Sequence, residues 1–169
     1  QGKRVLIVSH SNVSVDNVAK QIYSQIKDSS LSDLLRQHKI LRYGYVRDEE
    51  LQKNDFITSF KAVIKNSPDK AEFDRLQEEY KKLTAEAETS TDVNIQQKIL
   101  RINQAIKAIK AEHKETEKQL VANAQLVATT VSKIYADSLF EDVTYDVVMF
   151  DEISMAYVPQ IVAAASFAT

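Results

Sequence analysis

Apolar residues follow two rhythms along this chain. Near its beginning Val5-Leu6-Ile7-Val8 is a continuous apolar run, followed by the polar turn Ser9-His10-Ser11-Asn12. Val15, Val18, Ala19, Ile22 and Ile26 then recur at three- and four-residue spacing, the stripe of an amphipathic helix. Ser11 or Ser14 is placed to cap that helix, and Asp16 lies in its first turn, where a negative charge is favoured. Lys39-Ile40-Leu41-Arg42-Tyr43 predicts a short strand, and a charged loop runs from Gly44 to Glu50. Toward the other end, Gln125-Leu126-Val127-Ala128-Thr129-Thr130 and Val147-Val148-Met149-Phe150 predict two further strands, with a short helix or turn from Val131 to Leu139 between them. Four apolar residues in succession at 147–150 fit a strand buried on both faces, the habit of parallel sheets. An apolar helix follows over 158–165, with Pro159 in its first turn.

The middle of the chain reads differently. From 51 to 122 it is highly charged and contains no glycine. Phe56, Phe60 and Val63 recur at spacings of four and three. Ser67-Pro68 then ends one helix and begins another, with Pro68 at the first helical position and Asp69 and Glu72 in the first turn. Phe73, Leu76, Tyr80, Leu83 and Ala87 continue the helical spacing up to a polar turn, Glu88-Thr89-Ser90-Thr91-Asp92. Ile95, Ile99, Ile102, Ile106 and Ile109 make a second apolar seam, which weakens at His113 and Thr116 and recovers at Leu120. Two seams joined by a short turn predict an antiparallel helical hairpin. A helix of about 30 residues would reach about 45 Å and project from the rest of the chain. A dimerising coiled coil is the plainer alternative, although each seam already has a partner in its sequence neighbour. The order β-α-β, helical insertion, β, β-α predicts an α/β protein with an open parallel sheet. Its parts are 1–50 and 123–169, with 51–122 as the inserted hairpin.

Composition narrows this picture. The 169 residues are 44% hydrophobic and 27% charged, ordinary values for a globular domain with a real core. A net charge of −2 and a pI of about 6.0 exclude a global basic field for nucleic acid, while leaving room for a local groove. With no cysteine in the chain, disulfides, thiolate metal sites and cysteine nucleophiles are all excluded. His10, His38 and His113 are scattered and read as ordinary surface or element-end residues. There is no signal peptide and no apolar run approaching about 18 residues. The expectation is a soluble, cytoplasmic protein with no membrane partner.

The chemistry concentrates at Asp151-Glu152. These carboxylates follow the strand at 147–150, at the end where open α/β sheets place ligand sites. This is the layout of a Walker B element. In it Asp151 would hold Mg²⁺ through water, and Glu152 would polarise the water that attacks the γ-phosphate of ATP. The alternative is that the pair simply caps the next helix. A phosphate-binding loop needs glycines, a lysine and a hydroxyl. This chain has only Gly2 and Gly44, and no such loop. Either the acids are structural or the chain is a piece of a longer NTPase, inactive by itself. Its ends, an apolar strand immediately after Gln1-Gly2-Lys3-Arg4 and a stop at Phe167-Ala168-Thr169, favour the second. Lys39, Arg42 and Arg47 lie near a strand end and read either as backbone-phosphate contacts or as solvated surface.

Three segments together resemble one family. Val5-Leu6-Ile7-Val8-Ser9-His10-Ser11-Asn12-Val13-Ser14-Val15-Asp16-Asn17 resembles motif Ia of the first RecA-like domain of superfamily 1 helicases. The branch is that of the nonsense-mediated-decay helicase and senataxin, whose motif reads S-N-x-A-V-D-N. Ser14 stands where that motif carries Ala. Leu126-Val127-Ala128-Thr129-Thr130 is similar to motif Ic. Asp151-Glu152-Ile153-Ser154 resembles motif II, with Ile153 in place of Ala and Met155 where a nucleotide-sensing Gln is frequent. The resemblance covers roughly residues 3 to 50 and 123 to 166. The hairpin matches the family's inserted prong in position and helicity only. It implies that Ser11, Asn12, Thr129 and Thr130 bind nucleic-acid backbone. Asp151 would serve Mg²⁺, Glu152 would be the catalytic base for ATP hydrolysis, and Ser154 would couple the nucleotide to the nucleic-acid site. The implied partners are single-stranded DNA or RNA and a second RecA-like domain of the same polypeptide. Competing readings are a binding module built on the hairpin around a non-catalytic α/β body, and a nuclease-accessory or defence ATPase that does not separate strands.

Overall fold

The computed structural model describes residues 2–88, 92–141 and 143–169. Most of the polar turn expected at 88–92, residues 89–91, lies outside them. The first strand, β1 (Val5–Ser9), runs into α1 (Asn12–Ile26), then α2 (Ser32–Arg36) and β2 (Ile40–Arg42). Helices α3 (Glu49–Gln52), α4 (Ser59–Ile64), α5 (Lys70–Ala87), α6 (Val93–Glu112) and α7 (Lys114–Ala122) follow. The chain then returns through β3 (Leu126–Thr130), α8 (Val131–Ala136), β4 (Val147–Asp151) and α9 (Val158–Ala165), with short 3₁₀ turns at Ser138–Phe140 and Ile153–Met155.

The four strands form one sheet in the order β2-β3-β1-β4, and every pairing is parallel. Alternation along β1 sends side chains to both faces. Leu6 and Val8 join Val127, Val131, Ile134, Phe140 and Ala164 in one core. Ile7 packs with Ala128 and Val15 of α1 on the opposite face. Helices therefore cover both faces, and β1 and β3, central in the order, carry the deepest residues. This is the open parallel α/β sheet that the sequence predicts.

Burial at β4 departs from the expectation. The run 147–150 is not buried on both faces, and Met149 is 54% exposed. The reason is position, because β4 is an edge strand paired only with β1. A continuous apolar run reads as doubly covered from sequence, whereas edge placement leaves part of it open.

The chain divides into two compact units, Gln1–Ala62 with Glu117–Thr169, and Val63–Thr116. The helical unit is shorter than the expected 51–122 because Leu51, Ile57 and Val121 are buried in the α/β unit. Within the helical unit α5 packs against α6. Phe73, Leu76, Ile95 and Ile102 are the buried residues of these two helices, four of the seam positions. The pair is antiparallel, since His113 at the end of α6 meets Asp69 at the start of α5 through an Nε2–Oδ2 contact of 2.9 Å. Ser67 Oγ donates to the same carboxylate oxygen at 3.0 Å. His113, the C-cap of α6, is an element-end residue, one of the two readings the sequence allowed. It closes α6 after 20 residues, so that helix spans about 30 Å rather than the 45 Å of an unbroken one. Pro68 lies outside α5, whose N-cap is Asp69. Among the described residues no helix is long and apolar enough to cross a membrane.

Candidate nucleotide and strand site

In a parallel sheet all carboxyl ends lie along one edge. The register sets Ser9 between Thr130 of β3 and Asp151 of β4, so one row across the sheet reads Thr130, Ser9, Asp151. The turn after β1 and the turn after β4 therefore start side by side. Ser11 is the N-cap of α1 and accepts a hydrogen bond from the Ser14 N–H at 3.1 Å, which settles which serine caps the helix. Ser14 Oγ lies 2.8 Å from Ser11 Oγ and donates to Glu152 Oε2 at 2.5 Å. The motifs read separately from sequence are thereby joined by a side-chain hydrogen bond across 138 positions of chain.

Glu152 does not cap the turn that follows it, since it makes no side-chain cap hydrogen bond. Its backbone is left-handed, with φ 55° and ψ 41°, a conformation non-glycine residues adopt at a cost of about 1–3 kcal/mol. The Met155 N–H to Glu152 carbonyl bond of 2.9 Å and the Ser14 hydroxyl hold it there. The carboxylate is exposed, as are Ile153 and Ser154.

The remaining expected nucleic-acid residues divide. Asn12 is half-buried, and its Oδ1 accepts from Arg42 Nη2 at 3.1 Å. Thr130 caps α8, accepting from the Lys133 N–H at 3.3 Å. Thr129 is fully buried and its hydroxyl has no hydrogen-bond partner. It is a core residue in this structure. Alternation puts Thr129 on the face of Val127 and Thr130 on the face of Ala128, both of them core faces, and Thr130 is more open because it ends the strand.

Arg42 is likewise removed from the surface. Its side chain is wholly buried, and its Nε donates to Asp16 Oδ1 at 2.8 Å, with Asp16 itself 2% exposed. The guanidinium also donates to the carbonyls of Tyr43 and Tyr45. Asp16 Oδ2 accepts from the backbone N–H groups of Arg47 and Asp48 at 2.7 and 3.0 Å. Burial lowers the Arg42 pKa, with Asp16 opposing that shift, and arginine stays charged in proteins. The pair pins the start of α1 to β2 and to the loop at 45–48. Lys39, half-buried, is engaged with the Asn123 carbonyl at 3.0 Å, whereas Arg47 has an exposed side chain.

A second polar anchor lies behind α8. Tyr43 Oη donates to Asp137 Oδ2 at 2.6 Å, and Lys133 Nζ lies 2.7 Å from the same oxygen. Burial alone would raise the Asp137 carboxyl. The Lys133 cation, the Tyr43 hydroxyl and the Leu139 N–H outweigh it and hold the group at about 2, against an ordinary 3.8. The folded value lies below the unfolded one, so this contribution is present above 3.8 and is lost as pH falls toward about 2. Asp137→Asn is expected to be less stable than the parent at neutral pH in urea melts, with the gap closing across that acid window. A gap that persists unchanged below about 2 would rule the assignment out.

For Mg²⁺ the donors are oxygen, as this hard cation requires. Asp151 is half-buried at the strand end. In register with it, Ser9 carries a buried hydroxyl with no hydrogen-bond partner. Among the described residues no group of three or more acidic, histidine or cysteine side chains gathers to enclose a metal. One carboxylate fits an ion that keeps most of its waters and takes its other ligands from phosphate.

The parallel sheet with its carboxylate pair at the carboxyl edge is a partial RecA-like fold of the P-loop NTPase class. The chain belongs to the family described as AAA domain, which it matches over residues 1–169, a P-loop NTPase, helicase-like family. A search of curated proteins finds no match. The sequence reading missed the Ser14–Glu152 bond and the Asp16–Arg42 pair. An arginine inside an apolar strand and an aspartate beside the apolar stripe of α1 were the available signals for the second.

Proposed function

We propose that this chain is part of an ATP-dependent nucleic-acid helicase or translocase of superfamily 1, in the branch of the nonsense-mediated-decay helicase and senataxin. The observation that carries the reading is the hydrogen-bonded junction of Glu152 with the Ser11–Ser14 turn. It sets the acid expected to activate water against the turn expected to meet the strand. Ser11, Asn12 and Thr130 stand at the carboxyl edge of the sheet. Neutral hydroxyls, an amide and helix-start N–H groups can grip a phosphate backbone without reading sequence. Asp151, with Ser9 beside it, would hold Mg²⁺ through water, and the cation when bound neutralises phosphate oxygens. Glu152 accepts a proton from the attacking water. Ser154, in the next turn, couples the two sites. A phosphate-binding loop and a second RecA-like domain of the same polypeptide complete the cycle.

This reading is tested by the Mg²⁺ dependence of ATP hydrolysis in the full-length protein. Asp151→Asn is expected to raise the Mg²⁺ concentration for half-maximal rate roughly tenfold or more, the range for loss of an outer-shell partner. An unchanged requirement would remove Asp151 from the metal site. Absence of hydrolysis under every condition would overturn the motor reading and leave a binding module built on the helical unit.

A further inference from the structure

The Ser11–Ser14–Glu152 chain has a fixed direction. A hydroxyl has one proton to donate. Ser14 Oγ gives its proton to Glu152 Oε2 at 2.5 Å, a length typical of a hydroxyl bound to an ionised carboxylate. The 2.8 Å contact between the two serine oxygens must then be Ser11 donating to Ser14. Ser11 in turn accepts from the Ser14 N–H. Both hydroxyl protons of the turn are committed, and the last acceptor is Glu152.

We propose that Ser14 is a positioning residue that restrains Glu152 until a strand phosphate reaches the Ser11–Ser14 turn. The proposal rests on the reading of Glu152 as the base that activates water. The Ser14 hydrogen bond occupies one oxygen of the Glu152 carboxylate. The same bond draws Glu152 toward α1 and supports its left-handed backbone, with φ 55°. A phosphate oxygen at this turn is a competing acceptor. If it takes the Ser14 proton, Glu152 is released directly. If it takes the Ser11 proton, Ser14 loses the donor that polarises it and its bond to Glu152 weakens. The phosphate charge also repels the carboxylate. Strand binding and activation of water are therefore linked through two hydroxyl protons. Ser14 supplies the hydroxyl at a position where the resembled motif carries Ala, so the restraint belongs to this chain.

The test is strand-free and strand-saturated ATP turnover by the full-length protein carrying Ser14→Ala, Ser14→Thr or Glu152→Gln. Ser14→Ala is expected to raise strand-free turnover about fivefold, the scale of one partly exposed hydrogen bond to a charged group. The ratio of strand-saturated to strand-free rate should fall by the same factor. Ser14→Thr keeps the hydroxyl and should keep the parent ratio. The inference is overturned if Ser14→Ala leaves the ratio unchanged, or lowers the strand-free rate, or lowers the melting temperature without raising that rate. Glu152→Gln separates the two levels. If it still turns over, the reading of Glu152 as base fails. If it is inactive while Ser14→Ala keeps the parent ratio, the restraint alone fails.

Discussion

Replacing Asp16 by Ala is expected to cost about 3–5 kcal/mol of folding stability, the range for breaking one side of a buried ion pair. Domains of this kind have only about 5–15 kcal/mol in hand. The size follows from what is left behind. Arg42 is completely buried, and without Asp16 its guanidinium keeps only neutral acceptors, Asn12 and the carbonyls of Tyr43 and Tyr45. The backbone N–H groups of Arg47 and Asp48 lose their acceptor in the same step. Because an ion pair can be exchanged for apolar side chains at little net cost, adding Arg42→Met to Asp16→Ala should recover part of the loss. Urea unfolding of the full-length protein and its variants measures both effects. A single variant within about 1 kcal/mol of the parent, the ordinary loss for a surface pair, would show that the pair is not the anchor described.

Glu152→Gln should reduce ATP turnover at least about hundredfold, the usual share of a positioned general base, and leave ATP binding within a few-fold of the parent. The amide is nearly the same size, the side chain is exposed, and its oxygen can still accept from Ser14. What it loses is the ability to take a proton from water. Stopped turnover with retained nucleotide affinity separates chemistry from binding. Turnover within about tenfold, less than about 1.4 kcal/mol of barrier, would show that another group is the base.

Much of the fold was legible because each element carries its own local signal. The run Val5–Val8, the stripe from Val15 to Ile26 and the paired seams of α5 and α6 need no distant partner to be read. The proline-started helix at 158–165 is also found at its expected limits. Asp151 and Glu152 were legible for the same reason, as acids following an apolar strand. Long-range features were not. Asp16 and Arg42 are 26 positions apart, and Ser14 and Glu152 are 138 apart. No periodicity connects such residues, so the sequence read Arg42 as a phosphate contact or solvated surface although it is buried. Thr129 and Thr130 differ for another reason. Two adjacent threonines at a strand end look alike, but Thr129 lies within the strand and is buried, whereas Thr130 ends it and is half-buried. Met149 shows a third limit, since strand order, unlike strand composition, decides which apolar run lies at an edge.

The central claim is that the acid pair and the serine turn form one strand-coupled ATP-hydrolysing site. ATP hydrolysis by the full-length protein, measured with and without single-stranded RNA or DNA and beside Glu152→Gln, tests it most directly. The account predicts hydrolysis that the strand accelerates and that the substitution abolishes. Hydrolysis of equal rate in both proteins, or indifferent to every strand, would contradict it.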